Sequence, residues 1–192
     1  MRGPSPSIVV LLVILSVPVL GILALQHEQR TNEQRLAVVA SRIAGRPVDV
    51  HCPGPLKKLV DISPNSGSVY FDAHGRPGDF TELNDETCSS LDDFAEGDWS
   101  AGDSLRVARA LHVLAHESFH LAGARDEAET DCFGLQRVAF VARELGADDF
   151  EATRLASLAR ADRDVHAPAE YRTPLCFDGG PLDLDPGLNF WP

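Results

Sequence analysis

The feature that most constrains this chain is a pair of histidines four residues apart in a stretch with helical spacing. His116, Glu117 and His120 form the pattern His-Glu-x-x-His. Because a helix turns about 100° per residue, imidazoles four positions apart project from the same face, one turn apart. Both rings can then reach one metal ion, with the Glu117 carboxylate at the flank of the pair.

Helical periodicity supports this placement. Apolar residues recur at spacings of three and four through the stretch: Leu105, Ala108, Leu111, Leu114, Ala115 and Phe119. No proline occurs from 101 to 123, Asp103 or Ser100 can cap the helix near 104, and Gly123 can end it. The alternative is an ordinary helix with histidines on a half-buried face, since short motifs also arise by chance.

An acidic pattern follows six residues after His120. Glu127 and Asp131 are four apart, so a second helix would present both on one face. Asp126 and Glu129 have the spacing of a helix cap and its third position, which places Glu127 in the first turn after a tight reversal. Glu127 can supply the third ligand that a zinc site with two histidines needs. Asp131 can accept the free ring N–H of a ligating histidine.

Together these motifs resemble the gluzincin metallopeptidases, the thermolysin-like group, in which His-Glu-x-x-His precedes Glu-x-x-x-Asp on a second helix. The resemblance covers about residues 103–145 and implies a zinc enzyme that hydrolyses peptides. It makes His116, His120 and Glu127 the Zn²⁺ ligands. It makes Glu117 the general base on metal-bound water and Asp131 the residue that orients a histidine. The short spacing is a departure, since gluzincins usually have a longer insertion there.

A metzincin-like pattern competes for the third ligand. Asp126 follows His120 at the position of the third metzincin ligand, with aspartate in place of histidine. We favour Glu127 because Asp126 has a competing role as helix cap, and because only Glu127 accounts for Asp131. The metzincin Met-turn is also missing, since the single methionine begins the chain.

Other parts of a peptidase site have several candidates. Residues 67–72 predict a strand that could bind extended substrate by edge pairing, with an ordinary core strand as the alternative. By the same resemblance a tyrosine or histidine would stabilise the oxyanion, and Tyr171, Tyr70 and His74 are equal candidates. The acidic stretch 92–100 is either a cleft border that favours basic substrates or a solvated loop.

The predicted fold class is α+β, a small and mostly helical metallopeptidase-like domain with a short sheet. Alternation predicts strands at 47–52 and 66–72, and periodicity predicts helices at 81–91, 127–145 and 150–165. The predicted segments are a membrane anchor or signal at 1–25, a linker helix at 26–46, the domain at 47–166 and a Pro/Gly-rich tail at 167–192.

Export of the domain is predicted by its N-terminus and its cysteines. Residues 8–25 carry no charge over 18 residues, about 27 Å of helix, which is enough to cross a bilayer. We interpret them as a single-pass anchor, with a cleaved signal peptide and a secreted domain as the alternative. The four cysteines allow three disulfide connectivities, of which we favour the neighbour pairing, Cys52–Cys88 and Cys132–Cys176.

The net charge and the length of the chain limit the classes of function it can have. The net charge of −12, from 29 acids and 17 bases, argues against a phosphate-binding surface and therefore against a nucleic-acid partner. The sequence predicts a membrane-anchored metallopeptidase that acts on peptides or proteins. The alternative is a non-catalytic metal-binding or interaction module tethered at the cell surface, since a short chain leaves little to build a substrate cleft.

Overall fold

The chain has the α+β architecture that the sequence predicts. A computed structural model describes residues 6–54, 65–187 and 191–192, without the side chains at 6–20 and 22–25. The elements are α1 (Pro6–Ala44), β1 (Asp49–His51), β2 (Gly67–Phe71), β3 (Pro77–Leu83), α2 (Asp85–Glu96), α3 (Ser104–Ala122), α4 (Glu127–Glu144) and α5 (Asp149–His166). Short 3₁₀ turns lie at Ala101–Asp103 and Ala169–Tyr171.

The helix that carries the histidine pair, α3, is the central element. It packs against α1, α2, α4 and α5 and against strands β2 and β3. Val107, Leu111 and Leu114 are fully buried on it. The helix ends at Gly123, whose φ of 107° lies in the left-handed region that favours glycine. The predicted helix and its end are therefore confirmed.

Helix α4 begins after a short reversal. The Asp126 side chain accepts a hydrogen bond from the Glu129 backbone N–H at 2.9 Å, so the predicted cap is confirmed. At Gly134 the two helices approach closely, since a Cβ there would lie 3.1 Å from the Cα of His116. The reversal therefore brings the first turn of α4 to the histidine face of α3.

The sheet has three strands in the order β1-β3-β2, with β1 parallel and β2 antiparallel to β3. Within this sheet β2 is an edge strand, and Gly67 pairs with Leu83. The sheet and the end of α1 close the core from one side, with Leu36, Val50 and Leu83 buried there. The edge of β2 thus lies close to α3.

Two sequence predictions between the sheet and α3 need correction. The first three residues of the predicted helix 81–91 belong to β3, and Asn84 caps α2 by accepting a backbone hydrogen bond at 2.8 Å. At the other end α2 continues to Glu96, so the predicted loop 92–100 is about half helical. The helix extends because Leu91 and Phe94, three residues apart, are both buried on its inner face.

Residues 26–44 of the predicted linker helix 26–46 form the C-terminal part of α1, which ends at Ala44. The predicted anchor at 1–25 cannot be compared with the structure, because residues 1–5 and the side chains at 6–20 and 22–25 lie outside the described part of the chain. Among the residues that are described, no helix is both long enough and apolar enough to cross a bilayer.

Both predicted disulfides are present. Cys52–Cys88 joins the segment after β1 to α2, and Cys132–Cys176 joins α4 to the C-terminal tail. Disulfides form and persist in oxidising compartments, so this pair indicates an extracytoplasmic environment.

Candidate metal centre

Three side chains from the two helices converge on one point. The Nε2 atoms of His116 and His120 are 3.0 Å apart. The Oε2 atom of Glu127 lies 3.1 Å from the first and 3.3 Å from the second. Both histidines are buried, whereas the Glu127 side chain is 43% exposed at the mouth of the site. The predicted ligand set is therefore brought together.

The spacing of the three ligand atoms fits one metal ion. Around a tetrahedral ion with bonds of about 2.0–2.1 Å, neighbouring ligand atoms are roughly 3.3 Å apart. The three separations here run from 3.0 to 3.3 Å. They therefore match one face of such a tetrahedron, and the fourth corner remains for water or substrate.

One histidine is oriented for metal binding by a hydrogen bond, and the other is kept neutral by burial. The Nδ1–H of His120 donates to the Ala124 carbonyl at 2.8 Å, which leaves the Nε2 lone pair for a metal. Burial, with the neighbouring His112 and His120, lowers the pKa of His116 to about 2. No residue pattern predicts the role of the Ala124 carbonyl, because a backbone acceptor just past a helix end does not depend on residue type.

Glu117 lies beside the ligands in a nearly dry position. Its side chain is buried, and Oε2 has no hydrogen-bond partner within the described part of the chain. Burial, with the nearby Glu127 carboxylate, raises the pKa of Glu117 to about 8. A cation at the three ligands would lower that pKa, because an opposite charge favours the carboxylate form.

Asp131 lies next to the site but has different partners from those predicted. One carboxylate oxygen accepts from Arg163 Nε at 2.7 Å, and both side chains are nearly inaccessible. The other oxygen lies 3.3 Å from His112 Nε2. A ring nitrogen of His116 is within 4.8 Å of the same carboxylate. The predicted hydrogen bond from a ligating histidine to Asp131 is not among the described contacts: the Asp131 carboxylate accepts from Arg163, and its backbone carbonyl accepts from His112 Nε2 at 3.3 Å.

Arg163 is the main residue beside the metal centre that the sequence patterns do not predict. It lies on the buried stripe of α5, after Ala152, Ala156 and Ala159, and is 8% exposed. A charge on such a stripe is a signal for a buried partner, because arginine is almost never buried unpaired. Arg163 also donates to the Tyr171 carbonyl at 2.9 Å, which fixes the tail beside the site.

Asp126, the alternative third ligand, is occupied as the cap of α4. Its Oδ1 accepts from the backbone N–H of Glu129. Of the two described groups of side chains that could hold a metal ion, neither includes Asp126. The geometry therefore favours Glu127.

The second of these groups shares His116 and adds His112 and Asp131. Here the Arg163 guanidinium already neutralises the Asp131 carboxylate and would repel a cation. The group with Glu127 is therefore the better candidate, because no lysine or arginine of the described residues pairs with its carboxylate, which faces only the two histidines.

The ligands line a cleft of about 620 Å³. Gly67, Val69 and Phe71 of β2 form one wall of it, opposite the histidine face of α3. The wall is therefore the edge strand that the sequence predicted for substrate binding.

Of the three oxyanion candidates, Tyr171 lies at the site. Its ring centroid is 5.8 Å from that of His116, and burial, with Glu127 and Glu117, raises the pKa of Tyr171. The phenol therefore stays protonated and can donate a hydrogen bond. Tyr70 is 73% exposed and His74 is exposed, and neither lines the cleft.

No protein-family model, curated protein or solved structure matches this chain. The fold and site define a small, disulfide-bonded α+β protein with a buried histidine and carboxylate group that could hold a metal ion. Any more specific function is therefore argued from the residues and their geometry.

Proposed function

We propose that this protein is a zinc-dependent metallopeptidase of the gluzincin type. The observation that carries the proposal is the convergence of His116, His120 and Glu127 on one point. Two imidazoles and a carboxylate with an open fourth position are a ligand set of catalytic zinc sites. Magnesium and calcium favour oxygen ligands instead, so the imidazoles favour zinc over these ions.

The side chains around the ligands support a hydrolytic reaction. When bound, Zn²⁺ would polarise the scissile carbonyl and lower the pKa of a water molecule toward about 7. Glu117 takes a proton from the attacking water through its unpartnered Oε2 while the water oxygen bonds to the carbonyl carbon. Glu117 then returns that proton to the amine nitrogen as the C–N bond breaks.

Tyr171 is suited to stabilise the charge that develops on the carbonyl oxygen. Its ring lies against His116, and its backbone carbonyl is held by Arg163. A hydroxyl fixed in this place would donate a hydrogen bond to the oxyanion without reorganising during the reaction.

The substrate in this proposal is a peptide or protein bound in extended form. Strand β2 uses one edge to pair with β3, and its other edge borders the cleft. Backbone pairing along a free strand edge gives affinity that does not depend on sequence.

A non-catalytic metal module explains less of the site. A structural zinc site is usually closed by four protein ligands, whereas the described group contains three. Burying the Glu117 carboxyl beside the metal ligands without a hydrogen-bond partner for Oε2 costs desolvation free energy, and a purely structural site would not need this carboxyl. A general base accounts for this carboxyl.

The proposed place of action is outside the cytoplasm, with residues 8–25 as a single-pass tether. The two disulfides support export. The uncharged run of 18 residues supports the tether, and a cleaved signal is the alternative.

The proposal is tested by metal analysis and a peptide-library digest of the full chain purified in detergent. We expect stoichiometric zinc in the wild type and in Glu117→Gln, and cleavage that falls by about 10²–10⁴-fold in Glu117→Gln. Glu129→Gln, an exposed position on the same helix as Glu127, is the matched control and should cleave normally. Zinc without cleavage in the wild type would favour the non-catalytic module, and absence of zinc would overturn both.

A further inference from the structure

The cleft contains one cation that pairs with no carboxylate of the described residues. Arg125, in the reversal between α3 and α4, lines the same cleft as the metal ligands. Its guanidinium carbon lies 6.0 Å from the Phe71 ring centroid. A Cβ added to Gly75 would lie 2.6 Å from its Nη1. Packing against the β2–β3 hairpin therefore positions this side chain.

Among the described residues, Arg125 pairs with no carboxylate and makes no hydrogen bond. The nearby acid of the hairpin, Asp72, is already engaged. Its Oδ2 accepts from Arg76 Nε at 2.8 Å, and its Oδ1 accepts from the backbone N–H groups of His74 and Arg76. The fold thus satisfies Asp72 locally and leaves the planar donor fork of Arg125 facing the cleft.

The positive charge of Arg125 suits the binding of an anionic group on a ligand in the cleft. The other charged side chains of the cleft lining are Glu117 and Glu127, both at the metal position. A divalent ion would offset these two carboxylates, so Arg125 gives the lining its remaining positive charge. Guanidinium groups bind carboxylates through two parallel N–H donors, which adds specificity as well as energy.

We propose that Arg125 binds a carboxylate of the substrate and makes the cleft selective for peptides that carry one close to the scissile bond. This inference rests on the proposed peptidase function. Contacts with Phe71 limit the distance between Arg125 and the metal ligand His120: the Phe71 ring centroid is 6.0 Å from that of His120 and 6.0 Å from the Arg125 guanidinium carbon. Arg125 is therefore within about 12 Å of the metal ligand, which an extended peptide spans in three to four residues at roughly 3.3 Å each.

The carboxylate has two sources that share this chemistry, an Asp or Glu side chain and the C-terminal carboxylate of the peptide. Two peptide sets separate them. The first has amidated C-termini and a Glu or a Gln at each of the four positions on either side of the scissile bond. The second has no internal acid and ends in either a free carboxylate or an amide one to four residues after the bond. The set in which the acid is preferred identifies the source.

The first readout is the ratio of kcat/KM for acid and neutral peptides with the full chain in detergent. We expect a preference of about tenfold for the acid in one set, the effect of roughly 1.4 kcal/mol. Arg125→Gln should reduce the ratio to about one, and Arg125→Glu should lower it below one, because two carboxylates repel each other. Arg143→Gln, which removes an exposed arginine paired with Asp149 far along α4, is the matched control and should keep the ratio.

The second readout is binding, so that it does not depend on turnover. The zinc-loaded Glu117→Gln protein should bind the acid peptide about tenfold more tightly than its neutral counterpart. That preference should fall as salt rises, because an exposed ion pair is screened, whereas a purely structural effect of Arg125 would not change with salt. Adding Arg125→Gln to this protein should remove the preference.

The outcomes separate the two proposals. If no peptide is cleaved but the binding preference remains and depends on Arg125, hydrolysis is overturned and carboxylate recognition stands. If peptides are cleaved and neither set shows a preference for the acid, or Arg125→Gln keeps that preference, the recognition proposal is overturned and the peptidase stands.

Discussion

Gly67 at the start of β2 lies directly against Glu117: a Cβ at position 67 would be 2.6 Å from Glu117 Cγ and 2.7 Å from its Oε1. We expect Gly67→Ala to push the carboxyl out of its place beside the ligands. Peptide cleavage should fall by about tenfold or more, since a misplacement of 1 Å can cost about 10²-fold. Zinc content should not change, because the ligands are not displaced.

The control for this prediction is Gly78→Ala in the neighbouring strand. A Cβ there would meet only the Tyr70 carbonyl oxygen at 3.4 Å, an ordinary contact. Equal activity of the two alanine variants in a peptide-cleavage assay would show that the Gly67 contact does not position the base.

The protonation of Glu117 gives the metal-free protein a distinct pH dependence. Its pKa is raised from an ordinary 4.5 to about 8 on folding, by burial first and then by Glu127. Between these values the folded state holds a proton that the unfolded state has released, so stability falls as pH rises, by at most about 1.4 kcal/mol per pH unit. Urea unfolding in the presence of EDTA should show this fall, and Glu117→Gln should remove it.

The window from pH 6.5 to 8 isolates this effect from that of His116. The pKa of His116 is lowered from 6.5 to about 2 on folding. Its titration therefore hardly affects stability above pH 6.5, and it lowers stability as pH falls from 6.5 toward 2, where only the unfolded state binds the proton. If Glu117→Gln and the wild type have the same slope between pH 6.5 and 8, the carboxyl is ionised in the metal-free protein.

Local sequence signals predicted the elements around the site and missed what depends on tertiary contacts. The cap at Asp126, the end at Gly123 and both disulfides follow from short-range chemistry or from cysteine order in the chain. The local pattern predicts helix for the last three residues of β3, but pairing on both sides, with β1 and β2, decides their conformation. Such long-range pairing overrides a weak local propensity.

The same distinction applies within the site. Helical spacing predicts the pair His116 and His120, whereas the prediction of Glu127 also depends on the cap at Asp126 and on the resemblance to the gluzincin pattern. No local pattern predicts the place of Arg125 in the cleft, because that place depends on packing against the β2–β3 hairpin, which is distant in sequence.

The third ligand can be distinguished by two substitutions at adjacent positions. Asp126→Ser keeps a side-chain oxygen for the helix cap, so we expect zinc affinity and stability to remain close to those of the wild type. Glu127→Ala removes the oxygen that lies within 3.3 Å of both histidines. We expect its zinc affinity to fall by at least about 100-fold, more than the loss of a supporting group outside the ligands.

Competition with a chromogenic zinc chelator measures both affinities, and the fraction folded by circular dichroism checks that each variant retains its structure. A large loss in Asp126→Ser with little change in Glu127→Ala would assign the third ligand to Asp126, as in the metzincin-like pattern.

The buried pair of Arg163 and Asp131 makes the last prediction, on stability. Their side chains are 8% and 5% exposed, and Arg163 Nε donates to Asp131 Oδ2 at 2.7 Å. Arg163→Met leaves the carboxylate buried without its cation, which should lower the free energy of unfolding by about 3–5 kcal/mol. Adding Asp131→Asn removes that charge and should restore part of the loss.

The control Arg154→Met breaks a more exposed pair with Glu151 and should cost no more than about 1 kcal/mol. Urea unfolding at pH 7 in EDTA compares the variants, and equal losses for Arg163→Met and Arg154→Met would contradict the role of the buried pair.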